Sequence, residues 1–154
     1  MTEPADDSGV LTYVRIFDAA PELVFRCMVE PEHLTRFWGP VGMTTPLESI
    51  SVDLRPGGEF KVVMVNESDG GRYEMRAVYD EIVEPERLGW IEPESGMRSV
   101  SDFKDLGDGR TEVTITQSRV PVHFRSPEAQ AGFKTSLDKF AAYLSEVSAA
   151  QATP

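Results

Sequence analysis

The sequence predicts one α+β domain in which a mostly antiparallel sheet packs against a long C-terminal helix. The chain has 154 residues, about the size of one ordinary domain. Residues 49–120 form a series of short alternating segments separated by turn sequences, and residues 126–147 carry an apolar stripe at helical spacing. The predicted order is therefore β-α-α-β-β-β-β-β-β-α, which is typical of a two-layer α+β design.

The first strand and two short helices occupy residues 10–38. The stretch VLTYVRIF at 10–17 is rich in β-branched and aromatic residues and predicts a strand. Pro21 and Pro31 each suit the first turn of a helix, and Pro31 also ends the helix before it. The apolar residues at helical spacing are Leu23, Val24, Cys27 and Met28 in the first helix and Leu34, Phe37 and Trp38 in the second.

Six further strands are predicted at residues 49–54, 60–65, 73–82, 87–91, 97–103 and 111–120. The turn sequences SDGG, EPE and GDG lie between successive members of this series. Because these connections are short, neighbouring strands are expected to pair as antiparallel hairpins.

The stretch VDLRPGGEF at residues 52–60 has two interpretations, a phosphate-binding loop and a tight turn. A phosphate loop leads from a strand into a helix, whereas EFKVVMV after these glycines alternates as a strand. Pro56 and Gly57 fit the two central positions of a type II turn, which requires a positive φ at the second of them. The sequence therefore favours a hairpin, with Asp53 and Arg55 expected to form an ion pair at its end.

The final helix has the clearest signals. Ser126 is the predicted N-cap and Pro127 the first helical residue. About twenty residues would make a helix of ~30 Å, long enough to cross the sheet. The domain is expected to span residues 10–147, between a disordered leader at 1–9 and a flexible tail at 148–154. The apolar stripe consists of Phe133, Leu137, Phe140, Ala141, Leu144 and Val147.

Composition argues against several classes of function. The net charge is −11, so the surface repels phosphate backbones and anionic lipid, and neither a nucleic acid nor a membrane is expected as a partner. No apolar run approaches ~18 residues, and the N-terminus lacks the apolar segment of a secretory signal. The single cysteine excludes an internal disulfide, and a cytoplasmic location is expected.

No metal, cofactor or catalytic residue is predicted. His33 and His123 are far apart and share no metal-ligand spacing, and no G-x-S-x-G sequence is present. Cys27 lies on an apolar helix face, as a buried structural thiol does.

Acidic residues give few candidates for acid–base chemistry. The pairs Glu84/Glu86 and Glu92/Glu94 flank prolines and are predicted to be solvated turns. Glu48 and Asp53 are the acids expected nearest the interior of the sheet.

Five stretches in order resemble the activator-of-Hsp90-ATPase-like (AHSA1-like) family of the START/Bet v 1 (SRPBCC) superfamily. VDLRPGGEF resembles its D-x-R-P-G-G hairpin, and RIFDAAPELVFRCMVEPEHLTRFWGP resembles its opening. IVEPERLGW, GDGRTEVTITQS and FKTSLDKFAAYL are similar to its later motifs, so the likeness covers about residues 10–147. It implies a helix-grip fold, in which the curved antiparallel sheet wraps around the C-terminal helix and leaves a cavity between them.

Strand alternation, together with this resemblance, predicts which side chains line the cavity. Most are apolar, but Ser99, Ser101 and Gln117 are polar and would need hydrogen-bond partners if buried. A mostly apolar pocket with a few polar groups is typical of a small-molecule site. The predicted lining is Trp38, Phe60, Val62, Met64, Met75, Tyr79, Trp90, Ser99, Ser101, Phe103, Val113, Ile115, Gln117, Phe133, Leu137 and Phe140.

Three functions remain open, because relatives of this fold do different things. The first is a non-catalytic module that binds a hydrophobic or aromatic small molecule. The second is an enzyme of the polyketide cyclase/aromatase type, which a carboxylate, histidine or arginine near Tyr79 and Gln117 would favour. The third is a protein-interaction role such as an Hsp90-type co-chaperone. An exposed edge strand could also pair in a homodimer.

Overall fold

A computed structural model describes residues 9–152, and side chains through residue 150. The strands are β1 (Leu11–Phe17), β2 (Met43–Thr44), β3 (Ser51–Val52), β4 (Glu59–Asn66), β5 (Arg72–Val83), β6 (Arg87–Ile91), β7 (Arg98–Asp105) and β8 (Thr111–Ser118). The α-helices are α1 (Pro21–Val29), α2 (Pro31–Phe37) and α3 (Pro127–Ala152), and short 3₁₀ turns cover Leu47–Ser49 and Val122–Phe124.

All strands belong to one antiparallel sheet in the order β1-β8-β7-β6-β5-β4-β2, and β3 pairs with β4. The core lies between the inner face of this sheet and the three helices. Phe17 of β1 packs against Phe140 of α3, with their ring centroids 5.0 Å apart. The predicted helix-grip α+β fold, with two short helices after the first strand, is confirmed.

The Pro-Gly-Gly stretch is a turn between β3 and β4. Gly57 has φ +86° and the Gly58 amide donates to the Arg55 carbonyl at 2.8 Å, as the predicted turn requires. Arg55 Nε lies 2.9 Å from Asp53 Oδ2, which confirms the ion pair. A Cβ at Gly58 would overlap the Asp53 carbonyl oxygen. The glycines thus serve a hairpin that leads into a strand.

Strand predictions fail mainly before β4. The predicted strand at 49–54 is reduced to Ser51–Val52, because a 3₁₀ turn at Leu47–Ser49 follows Pro46 and occupies its start. The two-residue β2 was not predicted, since Met43–Thr44 is too short to show alternation.

The ends of the domain differ from expectation where they are described. Ser126 Oγ accepts from the Ala129 amide at 3.1 Å, as an N-cap does. Helix α3 continues to Ala152, so residues 148–152 of the predicted tail are helical, in keeping with the high helix propensity of their alanines. Gly9, placed in the predicted leader, accepts from the Val120 amide at 2.9 Å, and residues 1–8 and 153–154 lie outside the described part.

Candidate ligand site

A row of polar and aromatic side chains crosses the inner face of four neighbouring strands. Tyr79 of β5 pairs with Trp90 of β6, Trp90 with Ser99 of β7, and Ser99 with Gln117 of β8. Residues directly opposite each other in an antiparallel sheet share one face. The sheet register therefore places four of the predicted lining residues side by side.

Two of these residues belong to a cluster of four aromatic rings. Trp38 meets Phe60 edge-on at a centroid distance of 5.3 Å, and Phe60 lies 5.4 Å from Trp90. Tyr79 meets Trp90 at 6.3 Å and 74°, and Phe60 at 6.2 Å. We call Trp38, Phe60, Tyr79 and Trp90 the aromatic cluster. Such tilted and edge-on contacts suit the ring quadrupoles.

Trp38 reaches the cluster because the chain leaves α2 at this residue. Its amide donates to the Leu34 carbonyl at 2.9 Å and so ends the helix. Its carbonyl accepts from the buried Thr45 hydroxyl at 3.0 Å, and the Thr35 hydroxyl donates to the Thr45 carbonyl at 2.7 Å. The backbone of Trp38 is thus fixed, while its ring stays half-buried.

The aromatic cluster contains two polar atoms without a hydrogen-bond partner. The Tyr79 side chain is 1% exposed and Trp90 is 5% exposed, yet neither Tyr79 Oη nor Trp90 Nε1 has a partner. Burial raises the pKa of the Tyr79 phenol far above its usual range, so this group is neutral. Buried polar groups in native proteins are nearly always satisfied, so two neighbouring exceptions call for an explanation.

Glu92 is half-buried, which corrects the prediction of a solvated turn for this residue. The Glu92 amide donates to the Met97 carbonyl at 2.8 Å and continues the pairing of β6 with β7 by one step. Glu92 therefore has the same parity as Trp90 and faces the interior. Burial, assisted by Glu94, raises the pKa of its carboxyl. Glu48 and Asp53, the acids expected near the interior, are exposed.

The remaining predicted lining residues fall into separate groups. Val62, Met64 and Met75 continue the inner face of β4 and β5 beyond Phe60. Ser101, Ile115, Phe103 and Val113 are buried on β7 and β8, and Phe103 meets Phe25 of α1 at 5.6 Å. The helix residues lie elsewhere: Phe133 packs on Tyr13 at 4.5 Å, Phe140 stacks on Phe37 at 4.1 Å, and Leu137 is buried near Tyr13.

The loop at residues 39–43 follows Trp38 and is attached to helix α3 by side chains. The Val41 amide donates to Thr135 Oγ1 at 3.1 Å. Lys139 Nζ lies 3.3 Å from the Met43 carbonyl and 3.5 Å from the Pro40 carbonyl, and burial lowers the pKa of this lysine. The two lysine contacts are long. The loop is also tied to the other side, because the Glu67 amide donates to the Gly42 carbonyl at 2.9 Å and Met43 pairs with Asn66 of β4.

The pockets that open on the surface of residues 9–152 include two of similar size. One, of about 490 Å³, lies between the 39–43 loop and the turn after β4, lined by Val41, Gly42, Met43, Asn66, Glu67 and Ser68. The other, of about 440 Å³, lies between β1 and α3 and includes Tyr13 and Leu137. Neither is lined by a residue of the aromatic cluster.

Other groups of chemical interest serve the fold. Cys27 is fully buried and its pKa is raised to about 12 by burial, which supports the structural thiol. His33 Nδ1 lies 2.6 Å from Tyr143 Oη, where α2 meets α3. In the described part of the chain, no three His, Cys, Asp or Glu side chains converge as a metal site would need. Nor is any helix there long and apolar enough to span a bilayer.

Sequence reasoning missed Tyr13, Glu92 and the loop attachment by Thr135 and Lys139. Tyr13 and the buried Phe17 lie four positions apart on β1 and so point to the same face of the sheet. Strand alternation could therefore have predicted that Tyr13 is buried. Glu92 has the parity of Trp90, but the neighbouring proline suggested that the strand had already ended. The loop attachment joins residues more than 90 positions apart and leaves no local signal.

A curved antiparallel sheet gripping a long C-terminal helix, with an aromatic interior, defines a helix-grip protein of the START/Bet v 1 type. The family model described as activator of Hsp90 ATPase homolog 1-like protein matches residues 18–145. The chain belongs to this family.

Solved structures share the fold. A protein from Chromobacterium violaceum is 24% identical with a TM-score of 0.79, covering 86% of this chain and 95% of that one. The AHSA1 protein from Silicibacter pomeroyi is 24% identical with a TM-score of 0.74, covering 88% and 97%. The AHSA1-like protein from Aeromonas hydrophila is 20% identical with a TM-score of 0.74, covering 89% and 94%. Among the curated proteins nothing matches.

Proposed function

We propose that this protein binds a hydrophobic small molecule with a flat aromatic portion at the aromatic cluster, on the inner face of the sheet. The observation that carries the proposal is the cluster itself. Three large rings meet on the inner face of the sheet, and the half-buried ring of Trp38 packs on Phe60 and Trp90 from a loop segment. Aromatic walls with few polar groups favour such ligands.

Access to the cluster would require the 39–43 loop to move, because Trp38 packs on Phe60 and Trp90 where this loop begins. Gly39 and Gly42 both have φ +97°, a conformation that glycine adopts without strain. The contacts of Lys139 with the loop are long, and the bond from the Glu67 amide to the Gly42 carbonyl would have to break or move with the loop. A ligand would replace the contacts of the Trp38 ring with its own, so the cost of opening would be recovered on binding.

The test begins with native mass spectrometry of the purified protein, followed by extraction and identification of any bound molecule. Binding is then followed by intrinsic fluorescence, because both tryptophans of the chain belong to the cluster. Trp38→Ala and Tyr79→Ala should weaken binding at least tenfold, as expected when a large ring contact is lost. The surface change Glu84→Ala should not.

Phe133→Ala tells whether the ligand extends toward helix α3. Phe133 packs on Tyr13 and makes no ring contact with the cluster. A ligand confined to the cluster would be little affected by this change, whereas a longer one would lose affinity. Equal affinity across all four variants would contradict the proposed site.

An enzyme of the cyclase/aromatase type is the second candidate, and Glu92 is the observation that favours it. Its carboxyl lies on the interior face with a raised pKa, which suits a general acid or base. The reaction to test is proton exchange: the carboxylate removes a proton from the carbon beside a ligand carbonyl, electrons move to the oxygen, and a solvent proton returns. Deuterium uptake that Glu92→Gln abolishes without loss of binding would support catalysis.

An Hsp90-type partner and a homodimer stay predictions. The sheet ends at β1 on one side and at β2 on the other, and β1 carries the outward Val14 and Ile16, which are exposed. Sedimentation at several protein concentrations tests self-association through that edge.

A further inference from the structure

We propose that the ligand carries a neutral carbonyl oxygen that accepts hydrogen bonds from both Tyr79 Oη and Trp90 Nε1. This inference rests on the proposed function and names the chemical class of its ligand: an aromatic ketone or a related neutral aromatic carbonyl compound.

The two side chains are neighbours on the inner face of the sheet. Tyr79 and Trp90 are direct cross-strand partners on β5 and β6, with ring centroids 6.3 Å apart and planes at 74°. Both are more than nine-tenths buried, and the polar atom of each lacks a partner. Leaving a buried donor unpaired costs free energy that a suitable acceptor would recover.

Donor chemistry decides which ligand group fits. The indole Nε1–H of Trp90 can only donate, so an ammonium or amine hydrogen would leave it unpaired. A phenol hydroxyl can donate as well, and a carbonyl oxygen has two lone pairs. One oxygen can therefore satisfy Tyr79 and Trp90 together.

Charge favours a neutral acceptor over a carboxylate. The inner row of Tyr79, Trp90, Ser99 and Gln117 contains no cation. The residue that follows β6 with the same alternation as Trp90 is the half-buried acid Glu92. A buried carboxylate without a cation would be strongly disfavoured. The net charge of −11 also disfavours the binding of an anionic ligand.

The test uses three probes of matched shape: 2-acetylnaphthalene, 2-ethylnaphthalene and 2-naphthoate. Their dissociation constants are measured by equilibrium dialysis for the full chain and for Tyr79→Phe, Trp90→Phe and Tyr143→Phe. The ketone is expected to bind about tenfold more tightly than 2-ethylnaphthalene, as two buried hydrogen bonds imply. Tyr79→Phe should remove most of that preference while leaving 2-ethylnaphthalene unchanged.

Tyr143→Phe is the matched control, because the Tyr143 hydroxyl already contacts His33 and lies outside the cluster. It should preserve the preference for the ketone, and Trp90→Phe should reduce it. Equal affinity for ketone and hydrocarbon would overturn this inference and leave the proposed function standing. Tighter binding of 2-naphthoate than of the ketone would overturn the inference that the acceptor oxygen of the ligand is neutral. Failure of all three probes to bind would count against the proposed function and this inference together.

Discussion

Tyr79→Phe should stabilise the ligand-free protein, although it removes a polar group from the interior. The hydroxyl is buried on a side chain that is 1% exposed and has no partner. An unsatisfied buried polar group costs about 1–3 kcal/mol. Removing one oxygen also forfeits some packing contacts, so the expected net gain in unfolding free energy is about 1–2 kcal/mol.

Tyr143→Phe is expected to destabilise the protein, whereas Tyr79→Phe is expected to stabilise it. The Tyr143 hydroxyl lies 2.6 Å from His33 Nδ1, so deleting it should cost about 1 kcal/mol. Both variants lose the same hydroxyl oxygen from a tyrosine. The difference between their changes in unfolding free energy therefore reports the effect of the hydrogen bond rather than the loss of the oxygen.

Urea unfolding followed by tryptophan fluorescence measures both changes, on protein refolded from denaturant to remove any ligand. For a chain of this size, 1–2 kcal/mol corresponds to a rise in Tm of about 2–8 °C for Tyr79→Phe. A loss of stability of 1 kcal/mol or more in that variant would refute the reasoning, because it would mean that the hydroxyl is hydrogen-bonded in the empty protein.

Three further changes test the turn, the inward acid and the buried thiol. Gly58→Ala should lower the free energy of unfolding in urea by about 3 kcal/mol or more, because a Cβ there overlaps the Asp53 carbonyl. Gly132→Ala is the control, because a Cβ has open space at this position of α3, and it should raise the free energy of unfolding by about 0.5–1 kcal/mol. Glu92 has a raised pKa when folded, so its contribution to stability is complete below the ordinary value of 4.5 and is lost as pH rises from there through the raised pKa of the folded protein. Glu92→Gln should therefore stabilise near pH 7 and change little near pH 3. Cys27, with pKa about 12 and no exposure, should react with a thiol reagent only as fast as the protein unfolds, and rapid labelling would contradict its burial.

Local sequence signals predicted the elements that local chemistry controls. The type II turn follows from Pro56 and Gly57, and the start of α3 follows from Ser126 and Pro127. Alternation along one strand predicted Tyr79 on the inner face, and Trp90 was added to the predicted lining as a large aromatic residue. Alternation could not show that they are cross-strand partners, because register depends on the bulge between Tyr79 and Glu81.

The division of the predicted lining into separate groups was also beyond local reasoning. Phe133 and Phe140 share one helical stripe, yet they meet Tyr13 and Phe37 on different elements. Which partner each ring finds depends on how α3 crosses the sheet. The unpartnered state of two buried polar atoms likewise emerges only when all their neighbours are in place.

The attachment of the 39–43 loop to α3 has a consequence for biosynthesis. The Val41–Thr135 and Pro40–Lys139 contacts span 94 and 99 positions, and α3 is made after every strand of the sheet. Until α3 emerges, the inner face of the sheet has only α1 and α2 to cover it. Contacts of such long range form slowly and leave apolar surface exposed meanwhile. We expect the nascent chain to be most prone to aggregation after β8 has emerged and before α3 has.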